Sequence, residues 1–516
     1  MLIRLLMLIC FFALMVYVGF ACRKHATDVD GFVLGSRSVG PWLTAFAYGT
    51  SYFSAVIFVG YAGQFGWRFG VASTWIGLGN AFLGSLLAWR VLGRRTRLMT
   101  RQLSSSTMPE FFARRFASPA LRTGAAIIVF VFLIPYTASL YNGLSRLFGM
   151  AFHMDYTVCI LLMAVLTGAY VILGGYMATA MNDFIQGIIM LFGIVAVIAA
   201  VLKTNGGFVG SLTALAQVED TTTHIPGVFA SFFGSDPIGL LSVVILTSLG
   251  TWGLPQMVGK FYAIKSEKAI DKGTIISTVF AIVVAGGCYF LGGFGRLFTT
   301  QDIVTASGYD SIIPSMLEKL PDLLIGVVMI LVLSASMSTL SSLVLTSAST
   351  LTLDVLRGKV IKENDSKGQL LSIRLLIVAF IAVSAVLAII QYKSAVTFIA
   401  QLMGISWGAL AGAFLAPFLY GLYWKKTTKA SVWCCFVSGV GIMVVNMVAK
   451  PVLPAFLQSP INCGAFAMLV GLLIVPIVSA FTRKPDSDII DFAFACYEEK
   501  VLVSKKTALS ENELGE

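Results

Sequence analysis

Residues Met181–Leu202 read "MNDFIQGIIMLFGIVAVIAAVL". An apolar run of this length is the signature of a bilayer-crossing helix, since a hydrocarbon core of roughly 30 Å takes about 20 residues. A single carboxylate, Asp183, stands at its foot, and no Lys or Arg occurs from Tyr156 to Leu202. A bare Asp inside lipid costs about 2.5–3.5 kcal/mol on insertion scales, so Asp183 is expected to have a partner from another part of the chain.

The same texture runs along the whole sequence. It is 57% hydrophobic and 12% charged, against roughly 25% charged for soluble proteins. The fold class this dictates is an all-α polytopic membrane protein. The net charge of +11 then belongs to loops facing anionic lipid and cytoplasm, and nucleic acid is not an expected partner. Eight cysteines show no framework spacing and lie mostly in apolar runs as small fillers. His25, His153 and His224 stand near segment ends and outline no transition-metal site. No extramembrane segment is long enough for a catalytic domain, so an enzyme is not expected.

Thirteen spans are expected, at 2–22, 41–62, 71–90, 120–149, 156–178, 183–203, 237–259, 274–297, 323–353, 372–392, 396–423, 430–449 and 462–482. The first is read as a retained helix, because it exceeds a signal-peptide core and "GFAC" makes a poor cleavage site. With the N-terminus outside, the inner segments (260–272 among them) hold 27 of the 36 Lys and Arg, and the outer connection 205–236 holds none. The positive-inside rule therefore predicts an outer N-terminus and a cytoplasmic C-terminus in the plasma membrane. The chain divides into a first helix and inner loop (1–40), spans two to six (41–203), an outer loop (204–236), spans seven to eleven (237–423), spans twelve and thirteen (424–485) and a polar tail (486–516).

Two spans carry signs of interruption. Span two contains "TAFAYGTSYFSA" (Thr44–Ala55) at mid-depth, and span seven contains "LTSLGTWGLPQMVGKF" with Gly250, Gly253 and Pro255. Each opens a group of five spans. Broken helices at corresponding places in two repeats supply carbonyls and helix ends to a central site in transporters. Span nine adds "SASMSTLSSLVLTSAST" (Ser334–Thr350), the densest hydroxyl cluster in the chain. Ala335, Ser338 and Thr339 share one helical face, and Ser338, Ser341 and Ser342 an overlapping one. Oxygen ligands suit hard cations: one face with borrowed carbonyls suits Na+, and the other, with Asp183, suits a second.

These residues resemble the sodium/solute symporter family, which includes sodium/proline, sialic acid and sodium/glucose transporters. The resemblance rests on "FVLGSRSVGPWLTAFAYGTSYFSA", "YVILGGYMATAMNDFIQG", "MSTLSS" and "YGLYWKKTT". It implies thirteen helices around a leucine-transporter-type core of two inverted five-helix repeats. It also implies one Na+ site from the carbonyls of Thr50, Phe53 and Ala335 with the hydroxyls of Ser338 and Thr339. The further Na+ site of some relatives maps onto Asp183, Ser338, Ser341 and Ser342, so two ions are expected.

Where proline transporters carry an acidic residue this chain has Tyr52, and where they carry aromatic contacts it has Thr247 and Thr251. Span four has no mid-membrane Arg for a sialate, Arg146 near its outer end being the candidate. The expected solute pocket comprises Tyr52, Phe53, Ser54, Tyr136, Thr247, Thr251 and Gln401, fitting a small polar solute such as an amino acid, a carboxylate or a sugar. The expected function is Na+-coupled symport by a monomer or weak oligomer in contact with lipid. A proton-coupled carrier using Asp183 as its proton site is the competing chemistry.

Overall fold

The computed structural model describes residues 2–152, 154–220, 224–318, 320–394 and 399–497; His153 and the tail beyond Tyr497 lie outside them. Helices carry nearly all of it. Among the described residues there is no strand, only isolated bridges pairing Val39 with Ile264 and Arg357 with Ile361. Lipid explains this, because a span without water must satisfy its own backbone N–H and C=O groups.

In chain order the principal helices are α1 (Leu2–Cys22), α2 (Pro41–Tyr52), α3 (Val56–Gln102), α4 (Pro119–Phe152), α5 (Tyr156–Lys203), α6 (Pro237–Gly253), α7 (Pro255–Ala263) and α8 (Glu267–Gly292). They continue with α9 (Asp322–Leu351), α10 (Ser366–Ser394), α11 (Ile399–Tyr423), α12 (Lys429–Val448) and α13 (Pro460–Phe481). Among the described residues ten helices are long and apolar enough to cross a bilayer, and the α6–α7 pair, bent by 45°, makes an eleventh. The chain is thus an all-helical polytopic membrane protein.

Two of these helices are longer than a membrane needs. The 48 residues of α5 would reach about 72 Å if straight, more than twice a hydrocarbon core. The helix is interrupted at Gly175 (φ 53, ψ −143), a backbone region open to glycine and strained for other residues. A Cβ there would stand 2.7 Å from the Phe32 carbonyl oxygen. Within α3, Gly70 has φ 61, and a Cβ on it would overlap the Phe229 carbonyl at 2.0 Å. The break in α5 therefore falls at Gly175 and not within 178–183. Asp183 consequently lies eight residues past the break, about 12 Å along the helix, well inside it.

The polar helix α9 is central, packed on α5, α4, α2 and α1. Its Ser334, Ser336, Ser338, Thr339, Ser341 and Ser342 are all buried. Peripheral helices turn large apolar side chains outward, among them Ile3 and Leu6 on α1, Leu371 and Leu375 on α10 and Leu473 on α13. In lipid such exposure needs no partner protein.

The two interrupted helices share one end. Val39, just before α2, accepts from the Lys265 N–H at 3.0 Å and donates to the Ala263 carbonyl at 3.1 Å. Arg97 donates to the Ile264 carbonyl at 2.6 Å. Lys260, counted in the sequence among connection cations, lies inside α7 with 3% of its surface exposed.

Candidate functional site

Helix α2 ends at Tyr52, Phe53 turns to an extended conformation (φ −79, ψ 121), and helix resumes at Ala55. The break spoils the i→i−4 ladder and frees carbonyls that α9 then meets. Ser338 Oγ lies 3.2 Å from the Thr50 carbonyl oxygen and 3.1 Å from that of Ala335. Thr339 Oγ1 lies 3.2 Å from Thr50 O, 3.4 Å from Phe53 O and 3.1 Å from Ala335 O. Five oxygens thus converge, three carbonyl and two hydroxyl. A cation about 2.4 Å from each ligand, within the range for hard ions of this size, places neighbouring oxygens about 3.4 Å apart. The donor set is uncharged and the spacing fits a monovalent hard cation.

The second set is arranged differently. Asp183 is fully buried, and neither carboxylate oxygen makes a hydrogen bond among the described residues. What faces it is the Lys260 ammonium, with Nζ 3.6 Å from Oδ2. The same ammonium donates to Ser342 Oγ at 3.0 Å and lies 5.3 Å from the centre of the Tyr176 ring. Ser342 in turn lies 2.9 Å from Ser51 Oγ on α2. Ser341 donates back to the Ser338 carbonyl at 2.9 Å. Asp183 and Ser342 therefore meet around an amine of the chain itself, and Ser338 faces the first cage.

A family model, that of the sodium:solute symporter family, matches residues 32–439. The chain belongs to this family. Curated relatives include sodium/proline symporter 2 of Staphylococcus saprophyticus, 28% identical over 498 residues, and the sodium/proline symporter of Staphylococcus aureus strain JH9, 29% identical over 494; each alignment covers 93% of both chains. Among solved structures, a Na+-coupled sialic acid symporter in a substrate-bound, outward-open state superposes with a TM-score of 0.70 at 16% identity, covering 94% of this chain and 99% of the other. A nucleobase-cation-symport-1 family transporter superposes with a TM-score of 0.50 at 14% identity, covering 90% of this chain and 98% of the other. These likenesses show a shared transporter fold.

Against this symporter frame, most of the expected pocket residues gather beside the α2 break. Tyr52 accepts a hydrogen bond from Asn80 Nδ2, and Ser248 donates to the other end of that amide at 3.1 Å. The rings of Tyr52 and Tyr136 both stand edge-on to Trp407, at 5.8 and 5.9 Å. Among the described residues, Ser54 Oγ, Tyr136 OH and Trp407 Nε1 are buried without hydrogen-bond partners, as are the hydroxyls of Tyr61 and Tyr289. Thr247 and Thr251 spend their hydroxyls on backbone, Thr247 on Val243 O at 2.8 Å and Thr251 on Gly84 O at 3.0 Å. Gln401 is half-buried on α11 and makes no hydrogen bond with this group among the described residues. The Arg146 side chain lies outside the described ones.

Asn80, Trp407, Tyr61, Tyr289 and Lys260 were not singled out by the sequence. For Lys260 a signal existed: a buried Asp requires a counter-charge, and this Lys sits five residues past a helix-opening Pro255. The cavity lined by Tyr52, Phe53, Asn80 and Thr251 is about 10 Å³, room for one water. That cavity is too small for an organic solute.

Proposed function

We propose that this symporter family member couples Na+ entry to the uptake of a small polar solute into the cell by alternating access. The observation that carries the reading is the five-oxygen cage uniting the broken α2 with α9. The cage residues Thr50 and Phe53 flank Tyr52 and adjoin Ser54, so an ion that ties α2 to α9 also orders the segment that faces the solute. Coupling then follows from linkage: whatever stabilises one site's ordered form favours the other's. One Na+ crossing about 100 mV down a tenfold gradient supplies roughly 3.7 kcal/mol, enough to concentrate a neutral solute about 500-fold.

The finer architecture we read as thirteen spans with two inverted repeats, an outer N-terminus and a cytoplasmic C-terminus in the plasma membrane. Breaks at Gly70 and Gly175 and at Phe53 and Leu254 support that division. The solute we read as uncharged or zwitterionic. Tyr52, Ser54, Tyr136, Asn80 and Trp407 offer hydroxyls, an amide and an indole N–H, and no charged side chain stands among them. Neutral amino acids and sugars fit better than a sialate; proline, the solute in the staphylococcal relatives' names, would meet Tyr52, Thr247 and Thr251 where proline transporters carry an acidic residue and aromatic contacts. The proton-coupled alternative is not favoured, because Asp183 faces the Lys260 ammonium.

The test is thermal stabilisation of the purified protein by a panel of amino acids, monocarboxylates and sugars, in NaCl and in choline chloride. The expected result is a shift by one solute class that appears only in Na+. A solute shift of equal size in both salts would overturn the reading.

A further inference from the structure

We infer that Lys260 is a resident cation occupying the second ion position, so that this chain binds a single Na+. The inference rests on the symport reading above and concerns its stoichiometry.

Four observations converge on it. The Asp183 carboxylate and the Ser342 hydroxyl, two of the four groups expected to hold a second ion, both face Lys260 Nζ, at 3.6 and 3.0 Å. The remaining two are turned elsewhere: Ser341 bonds the Ser338 carbonyl at 2.9 Å, and Ser338 belongs to the first cage. The ammonium is itself buried and packs beside the Tyr176 ring at 5.3 Å, as a desolvated cation does. Finally, charge already balances: one carboxylate faces one ammonium. A Na+ added about 4 Å from Lys260 would meet a repulsion worth about 1,000-fold in affinity at an effective protein permittivity. An ammonium is a compact point charge on a flexible stem, and that shape lets it take an alkali ion's place among oxygens.

The tether has a consequence for the cycle. An exchangeable ion leaves with the solute, whereas Lys260 stays on α7 and rejoins Asp183 on α5 and Ser342 on α9 at each turn. Ser51 lies 2.9 Å from Ser342 and follows Thr50, whose carbonyl is in the Na+ cage. The ammonium and the Na+ site are therefore adjacent through α2. A cavity of about 50 Å³, lined by Tyr176, Gln256, Lys260, Ser342 and Ser349, reaches Ser106 and Met108 at the start of the short helix Met108–Arg115, giving water a path to the amine when α7 moves.

Equilibrium binding of radioactive 22Na+ to the purified full-length protein tests this with Na+ itself as the probe. One ion per chain is expected for the wild type and two for Lys260→Gln, which leaves Asp183 bare. The double variant Lys260→Gln/Asp183→Asn, neutral at both positions, is expected to return to one. Two ions in the wild type would overturn the inference while leaving symport intact, as would one ion in a folded Lys260→Gln protein. If Lys260→Gln is unstable in choline chloride, its rescue by NaCl toward the wild-type melting temperature supports the inference, and no rescue by NaCl overturns it. No bound Na+ in any form would overturn the symport reading itself.

Discussion

Thr339 Oγ1 lies 3.2 Å from the Thr50 carbonyl oxygen, so a hydroxyl on the central polar helix closes directly on a carbonyl freed by a helix break 289 positions away in sequence. Removing that hydroxyl should weaken Na+ without disturbing the fold's apolar packing. Thr339→Val and Ser338→Ala each delete one cage oxygen, and contacts to charged groups are worth about 1.5–3 kcal/mol. The expected outcome is a 10- to 100-fold rise in the Na+ concentration that half-stabilises the purified protein, read by thermal shift in NaCl against choline chloride.

Asp183 and Lys260 differ from the cage in what their loss exposes. Truncating one partner of a buried pair strands the other charge and costs about 3–5 kcal/mol. Lys260→Ala and Asp183→Ala should each lower the melting temperature by several degrees. The neutral double variant Lys260→Gln/Asp183→Asn should lose less than the sum of the single changes. A double-mutant cycle on detergent-purified protein measures the coupling, and additive losses would mean that the pair does not interact.

A second charge cluster lies outside the spans, on the short helix Met108–Arg115. Burial alone would raise the Glu110 carboxyl, but the Ser106 N–H and the Arg114, Arg357 and Arg122 guanidiniums outweigh it and hold Glu110 below its ordinary 4.5. A depressed folded value contributes stability above the unfolded value, and that contribution fades as pH falls through the folded one. The wild type should therefore exceed Glu110→Gln in melting temperature by a constant margin from pH 7 down to about 5. Below roughly pH 4.5 the margin should shrink, and one that widened on acidification would reverse the sign.

The solute pocket makes a separate prediction. Asn80 donates to Tyr52 and accepts from Ser248, so Asn80→Ala frees a buried tyrosine hydroxyl and a serine. Tyr136→Phe removes a hydroxyl that is buried and makes no hydrogen bond among the described residues. Both should raise the solute concentration for half-maximal uptake by about 10-fold, at about 1 kcal/mol or slightly more per hydrogen bond, with Na+ half-saturation in the absence of solute unchanged. Uptake curves paired with Na+-only thermal shifts separate the two effects.

Legibility in the sequence followed chemical contrast. Hydroxyl clusters, a Pro–Gly interruption and a carboxylate stand out against leucine and isoleucine, so α9, the α6–α7 break and Asp183 could be read directly. Tyr52 and Ser54 drew notice because they stand in the interrupted stretch of span two, and Tyr136 because it lies in the middle of span four. Asn80, Tyr61, Tyr289 and Trp407 did not, because a single neutral side chain in an apolar run has no periodicity to announce it. Lys260 was hidden for the opposite reason. A cation beside an apolar run reads as the end of a span, and only the fold shows α7 continuing past it. The Gly174–Gly175 pair marked the turn in α5, but the apolar pattern runs on through it to Met181, which drew the expected connection several residues late.

Proteoliposomes holding the purified protein, clamped at zero membrane potential with a tenfold inward Na+ gradient, test the Na+ cage most directly. The account predicts that a solute identified by the stabilisation screen accumulates about 10-fold when neutral and moved with one ion, and that a Na+ ionophore abolishes this. Accumulation that instead follows an imposed pH gradient, and proceeds equally in choline, would contradict it.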